Sequence, residues 1–173
     1  TMEVSKVPSG SGQSAATIHS LDQDWGESTS DAPGQEGSGA PAAIGDATWL
    51  VTCFNCFFNA PWANPGGDFS TIASDTFTIS GLGSVSAEGP GLVADVQSWL
   101  DSQTVNNGWI IIGDEGTSQS ARRINSRENS SNPPVLEITY IRDVGTAIEQ
   151  PLSDRIKIRP NPAKDVFHIS GVN

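Results

Sequence analysis

Thr76-Phe77-Thr78-Ile79 alternates polar and apolar residues one by one, and the same period of two recurs at Met2 and Val4, from Ala16 to Leu21, and from Val135 to Tyr140. Successive side chains of an extended strand point to opposite faces, so such runs make half-buried strands. Pro133-Pro134 cannot donate to a ladder and marks where the last run begins. Thr48-Trp49-Leu50-Val51-Thr52 reads as a further strand with Trp49 turned inward. Trp109-Ile110-Ile111-Ile112 is apolar without a break, the pattern of a central strand buried on both faces. One segment reads helical: between Leu92 and Leu100 the apolar positions fall at i, i+1, i+4, i+7 and i+8, one stripe behind Pro90-Gly91.

Between these runs lie turn-rich stretches. The 18 glycines and 11 prolines, set against 36% apolar residues, favour many turns over long helices. Short strands, one short helix and no alternation of strand with helix predict an all-β fold, a two-sheet antiparallel β-sandwich. Trp25 to Asp46 is almost entirely Gly, Ser, Pro, Ala, Asp and Glu and cannot fold by itself. A loop of that length inside a compact module is functional or pinned by its neighbours. At 173 residues the chain accommodates one module and an appendage. The expected division is a sandwich over 1–141, a polar linker over 142–155 and a small β-rich tail over 156–173.

The net charge of −11, with only nine Lys and Arg, argues against nucleic acid and anionic membranes, which need clustered positive charge. No apolar run approaches the roughly 20 residues of a membrane span, so no membrane insertion is expected. No basic-then-apolar leader stands at Thr1, so any export signal is expected outside this sequence or removed from it.

Two stretches resemble known families. From about Ala16 to Tyr140, the blocks W-G-E-S-T-S-D-A-P-G-Q-E-G, G-D-A-T-W, N-P-G-G-D-F, V-Q-S-W-L, N-N-G-W-I-I-I-G-D-E and A-R-R-I-N-S-R-E-N…P-V-L-E-I-T-Y are similar, in order, to the DNRLRE (disaggregatase-related) domain family. That resemblance implies a jelly-roll-like sandwich on extracellular proteins, some relatives being carbohydrate-binding modules for acidic polysaccharide. I-K-I-R-P-N-P-A-K-D-V-F-H-I resembles the opening of the C-terminal sorting domain of the type nine (Por) secretion system of Bacteroidetes. It implies export across the outer membrane and attachment at the surface. Against these families the sandwich is expected to lack strands at its N-terminal end and the sorting unit its second half. Unpaired edges invite strand addition, so a segment in cis or from a neighbouring copy is expected to complete the sheet.

Each candidate site has a plainer role beside its functional one. Cys53-Phe54-Asn55-Cys56 has the C-x-x-C spacing, which serves zinc, redox exchange or a local disulfide. Zinc lacks a second such pair and redox chemistry lacks a βαβ setting, so a disulfide in an oxidising exterior leads, ahead of two buried thiols. Asp46, Asp68, Asp114 and Glu115 sit in Gly-rich loops, where the alternatives are a structural calcium ion and ordinary turn-forming carboxylates. Arg122, Arg123 and Arg127, with Glu128, form the one concentrated charge cluster. Their forks suit a uronic-acid polymer or, preferably in so acidic a chain, an internal carboxylate network. Of five tryptophans, Trp49, Trp99 and Trp109 are expected in the core, leaving Trp25 and Trp62 as stacking platforms for sugar. Two histidines, His19 and His168, leave no Ser-His-Asp set, so no enzyme is expected.

The sequence therefore leads to a secreted, non-catalytic cell-surface module for adhesion, with acidic extracellular polysaccharide as its partner. The alternative is a structural subunit of an extracellular filament or matrix, a homo-oligomer whose missing strands come from neighbouring copies.

Overall fold

The computed structural model describes residues 1–32, 39–57 and 60–141, together with the backbone of 153–158. Among these residues the chain is all-β with a single helix. Its elements run β1 (Met2–Lys6), β2 (Ser14–Ser20), β3 (Asp75–Ile79), β4 (Gly83–Val85), α1 (Pro90–Leu100), β5 (Trp109–Gly113), β6 (Arg123–Ile124), β7 (Leu136–Ile141) and β8 (Ser153–Ile158). Two three-stranded antiparallel sheets form, with strand orders β4-β1-β6 and β3-β2-β5, beside the pair β7-β8. Phe77 and Ile79 of β3 are buried and Thr76 and Thr78 exposed, as the alternation predicts.

Two compact units divide the chain: Thr1–Ala16, Phe77–Ala87 and Gly113–Asn173 make the first, Thr17–Thr76 and Glu88–Ile112 the second. In the first, β1 lies between β4 and β6, and Val4 at its centre is 1% exposed. The register against β6 shifts between Val4 and Lys6. Thr1 and Val135 exchange two hydrogen bonds of 2.8 and 2.9 Å, fixing the start of the chain beside the approach to β7. β7 pairs with β8 from Leu136↔Ile158 to Ile141↔Ser153. β8 thus opens at Ser153, inside the stretch expected to be linker. The remainder of that linker and of the sorting-like tail, 142–152 and 159–173, falls outside the described residues, with 33–38 and 58–59.

In the second unit the backbone beyond β2 continues against Asp68–Ser74. Ser74 donates to the Ile18 carbonyl (2.8 Å), Ser70 to that of Ser20 (2.9 Å) and Asp22 to that of Asp68 (3.0 Å). Ile18, Leu21 and Trp62 are buried here, and His19 is held between the Ser70 carbonyl (2.8 Å) and the Thr17 hydroxyl (2.9 Å). Pro90 stands in the first turn of α1, where its missing N–H costs nothing. None of the helix residues is fully buried, and Val93 and Leu100 are exposed, so only part of the expected stripe packs.

Two strand expectations are corrected. Thr48–Thr52 is a turn, because the Thr48 hydroxyl accepts from the N–H groups of Leu50 and Val51, both at 3.2 Å, while Thr48 itself donates to the Val51 carbonyl. A local side-chain partner of this kind competes with a ladder, and only an isolated bridge, Val51↔Pro61, survives. Trp109–Gly113 does form a strand, but at the sheet edge, with Ile111 36% exposed. A continuous apolar run satisfies an edge whose one face is covered as well as it satisfies a central position, and Trp109 has its covering partner in Trp99, ring centroids 4.6 Å apart.

Candidate functional site

The stretch from Ala43 to Asp68 holds five of the candidate residues, Asp46, Cys53, Cys56, Trp62 and Asp68. Asp46 is buried and its carboxylate accepts from the N–H groups of Ser28 (2.8 Å) and Ala43 (2.6 Å). The Ser30 hydroxyl first, then these backbone donors, hold its carboxyl below the ordinary value. Asp68, also buried, accepts from the N–H groups of Ala63 (2.7 Å) and Asn64 (2.9 Å), from the Asn64 side chain and from Gln23. The Ala63 donor leads in lowering its pKa. Asp114, in the other unit, is lowered by the Thr117 hydroxyl and then by the Gly116 N–H at 2.9 Å. Glu115 is exposed. Asp114 caps its own turn, while Asp46 and Asp68 also tie in Ser28 and Gln23 from the preceding segment; no group of three or more His, Cys, Asp or Glu that could hold a metal ion forms among the described residues.

The same loop pins the long segment after Trp25. Gly26 donates to the Thr52 carbonyl (2.8 Å), Ala47 to that of Gly26 (2.6 Å) and Gly45 to that of Phe54 (2.9 Å). Any side chain at Gly26 would run into the Gly45 carbonyl. Cys53 and Cys56 are joined by a disulfide, the favoured reading of their spacing.

The tryptophan assignments change in two places. Trp62 is 8% exposed with its Nε1 donating to the Thr48 carbonyl (2.8 Å), so it is a core residue and offers no platform. The turn at Thr48 that removes the expected strand supplies this acceptor. Trp49 is 65% exposed, where alternation had placed it inward. Its ring rests against Gly66, whose φ of +101° and lack of a side chain make the contact available to glycine alone. From Ala47 to Gly67 no residue carries a charge, and Leu50 and Phe57 are exposed alongside Trp49.

The arginines are spent inside the first unit. Arg122 donates to the carbonyls of Gln119 (2.9 Å), Ala121 (3.0 Å) and Gly12 (2.6 Å), tying its own turn to the approach to β2. Arg123 donates from Nε to the Ser5 hydroxyl of β1 (3.0 Å). Arg127 pairs with Glu128 at 2.5 Å, which holds the Glu128 carboxyl below its usual range. Of the internal Arg–carboxylate network expected from the sequence, the Arg127–Glu128 pair is present, and Arg122 and Arg123 also donate to carbonyl and hydroxyl oxygens.

The second unit carries a groove of about 520 Å³ that the sequence alone did not single out. One wall comes from the end of β2 and the residues just beyond it: Ser20, Leu21, Asp22 and Asp24. The other comes from α1 and its exit: Asp95, Ser98, Trp99, Thr104, Val105 and Asn107. Asn107 joins the walls, its Nδ2 donating to the Leu21 carbonyl (3.2 Å) while Leu21 donates to the Gly108 carbonyl (3.0 Å). Trp25, the other expected platform, is half-buried and donates from Nε1 to the Asn107 carbonyl (3.0 Å), bracing the groove from outside its lining. Asp95 and Trp99 stand four residues apart and so share a helix face. Asp95 accepts on Oδ2 from the Ser74 hydroxyl (2.5 Å) and from Trp109 Nε1 (2.7 Å), fixing the helix against β5. The Ser98 and Thr104 hydroxyls bond each other at 2.8 Å. Asp22 and Asp24 are exposed. None of the lining residues is Lys, Arg or His.

A carboxylate inside an otherwise apolar helical stripe, Asp95, is the signal by which sequence could have pointed here. No model of a known family, no curated protein and no solved structure matches this chain.

Proposed function

We propose that this chain is an exported, non-catalytic cell-surface module that adheres by binding glycan, and that the groove beside Trp99 is its binding site. The observation that carries the reading is the groove's lining. An indole ring and the aliphatic side chains of Leu21 and Val105 lie among three carboxylates, three hydroxyls and an amide. A sugar presents the same mixture, apolar C–H faces edged with hydroxyls, and 520 Å³ falls within the range of small-molecule sites. Asp95 supports a binding role over a catalytic one, because its Oδ2 is already taken by two donors.

Two three-stranded antiparallel sheets support an all-β module, and the jelly-roll-like sandwich of the DNRLRE kind is proposed from the sequence resemblance. Export is supported by the sorting-like sequence near the C-terminus and by the Cys53–Cys56 disulfide, a bond that persists in oxidising surroundings. A second reading, a filament or matrix subunit, draws on β5, an apolar edge strand able to accept a strand from a neighbouring copy.

The test is calorimetric titration of the purified chain with a panel of soluble polysaccharides, repeated on Trp99→Ala and Thr104→Ala. Saturable binding to a glycan, weakened about tenfold or more in both variants, is the expected result. Binding that survives both substitutions moves the site elsewhere.

A further inference from the structure

The groove also constrains the charge of what it holds, an inference that rests on the glycan-binding reading just given. We infer that the ligand is a glycan without acidic groups, recognised chiefly as a hydrogen-bond donor.

Three features of the second unit carry this. First, Asp22, Asp24 and Asp95 line the groove and no cation accompanies them. A carboxylate or sulfate on the ligand would enter a field of its own sign, and like charges brought together oppose binding. Second, the polar lining is rich in acceptors. Carboxylates only accept. Asn107 already spends an N–H on Leu21. The Ser98–Thr104 pair consumes one of its two hydroxyl protons internally, so that with Ser20 the lining hydroxyls have at most two protons to offer beside three carboxylates. A ligand fitting such a surface must bring protons, which sugar hydroxyls and ammonium groups supply and which an ionised carboxylate or sulfate group does not. Third, Asp22 and Asp24 are exposed at the rim; Asp24 accepts the Trp25 N–H on Oδ1 (2.9 Å) and keeps Oδ2 toward solvent, whereas Asp46 and Asp68 are buried with two backbone donors each.

The arginines that made an acidic polymer attractive give it no grip elsewhere. Arg122 donates to three backbone carbonyls and Arg127 is paired with Glu128. Arg122, Arg123 and Arg127 are not among the groove's lining residues, so a site at the groove does not draw on them.

Neutral polyhydroxylated polymers and polymers of deacetylated amino sugars share the donor chemistry, and salt separates them. The experiment titrates the full chain with a neutral glucan, a deacetylated amino-sugar polymer and a polyuronate, at about 50 and 500 mM salt. Expected is binding of the neutral polymer at both salt levels, of the amino-sugar polymer at low salt, or of both, with none of the polyuronate. Asp22→Asn and Asp24→Asn together should weaken the bound polymer about tenfold or more. Both residues are exposed, and an unchanged melting temperature checks that the variant is folded. Polyuronate binding in the native chain overturns the charge inference and leaves the glycan reading standing. No loss of affinity in the folded double variant also overturns it. Silence from all three polymers removes the glycan reading and this inference together.

Discussion

The loop from Ala43 to Asp68 and the groove beside Trp99 draw on the same side chains, aspartates, asparagines and tryptophans, and use them in opposite ways. In the loop, Asp46 and Asp68 are buried and filled by backbone donors, and Trp62 is sealed in with its N–H on Thr48. In the groove, Asp22 and Asp24 stand exposed and Trp99 is half-buried against Trp109. The difference teaches that residue type says little about role in a loop-rich β protein. What decides is whether the local backbone has already claimed the polar atoms.

Substitutions can break this contrast. The largest effect is expected at Trp62→Ala, which empties a buried site and strands the Thr48 carbonyl. Loss of about 3–5 kcal/mol in a urea unfolding titration is expected, with glycan affinity of the remaining folded fraction unchanged. A binding defect without destabilisation would put Trp62 back among the ligand contacts. Next comes Asp68→Ala, which leaves the N–H groups of Ala63 and Asn64 without their acceptor. Its melting temperature should fall clearly, more than that of Asp22→Asn, whose carboxylate sits at the groove rim. Equal melting curves for the two would erase the distinction between claimed and unclaimed carboxylates.

Acid sharpens the same point. Asp46, Asp68 and Asp114 are all lowered from an ordinary 3.8. A group whose pKa is depressed in the folded state stabilises the fold in full above its unfolded value and loses that contribution as pH falls through the folded one. Stability should therefore hold from neutrality down to about pH 4 and decline below it, as read by circular dichroism against pH. Asp68→Ala should show a shallower acid decline than the native chain. The smallest effect belongs to Trp49→Ala. At 65% exposure its removal should change stability by within about 0.5 kcal/mol and leave groove binding untouched.

Much of the secondary structure could be read directly. β2, β3 and β7 follow from alternation, and α1 from its spacing behind Pro90, because these patterns are local and the native environment agrees with them. β4 and β6, at three and two residues, were invisible, since so short a run carries no period. Trp49 and Trp62 exchanged roles for one reason: the Thr48 hydroxyl makes a turn where alternation promised a strand, and every inference about facing then inverts. The edge position of β5 was hidden because an unbroken apolar run does not say how many neighbours it has. The groove was out of reach for a different reason. Its walls come from the end of β2 and from the far side of α1, and only the tertiary fold brings Leu21 to Asn107.

The uncharged stretch from Ala47 to Gly67 has a consequence for handling the molecule in solution. At pH 7 the net charge of −11 makes copies repel one another, which opposes contact at the exposed Trp49, Leu50 and Phe57. As acidification cancels that repulsion, those side chains do not change, and they become the first surface on which two molecules gain by touching. Cloudiness near the isoelectric point that clears when the medium is made alkaline, and that Trp49→Ser with Phe57→Ser delays, would trace colloidal behaviour to this one turn.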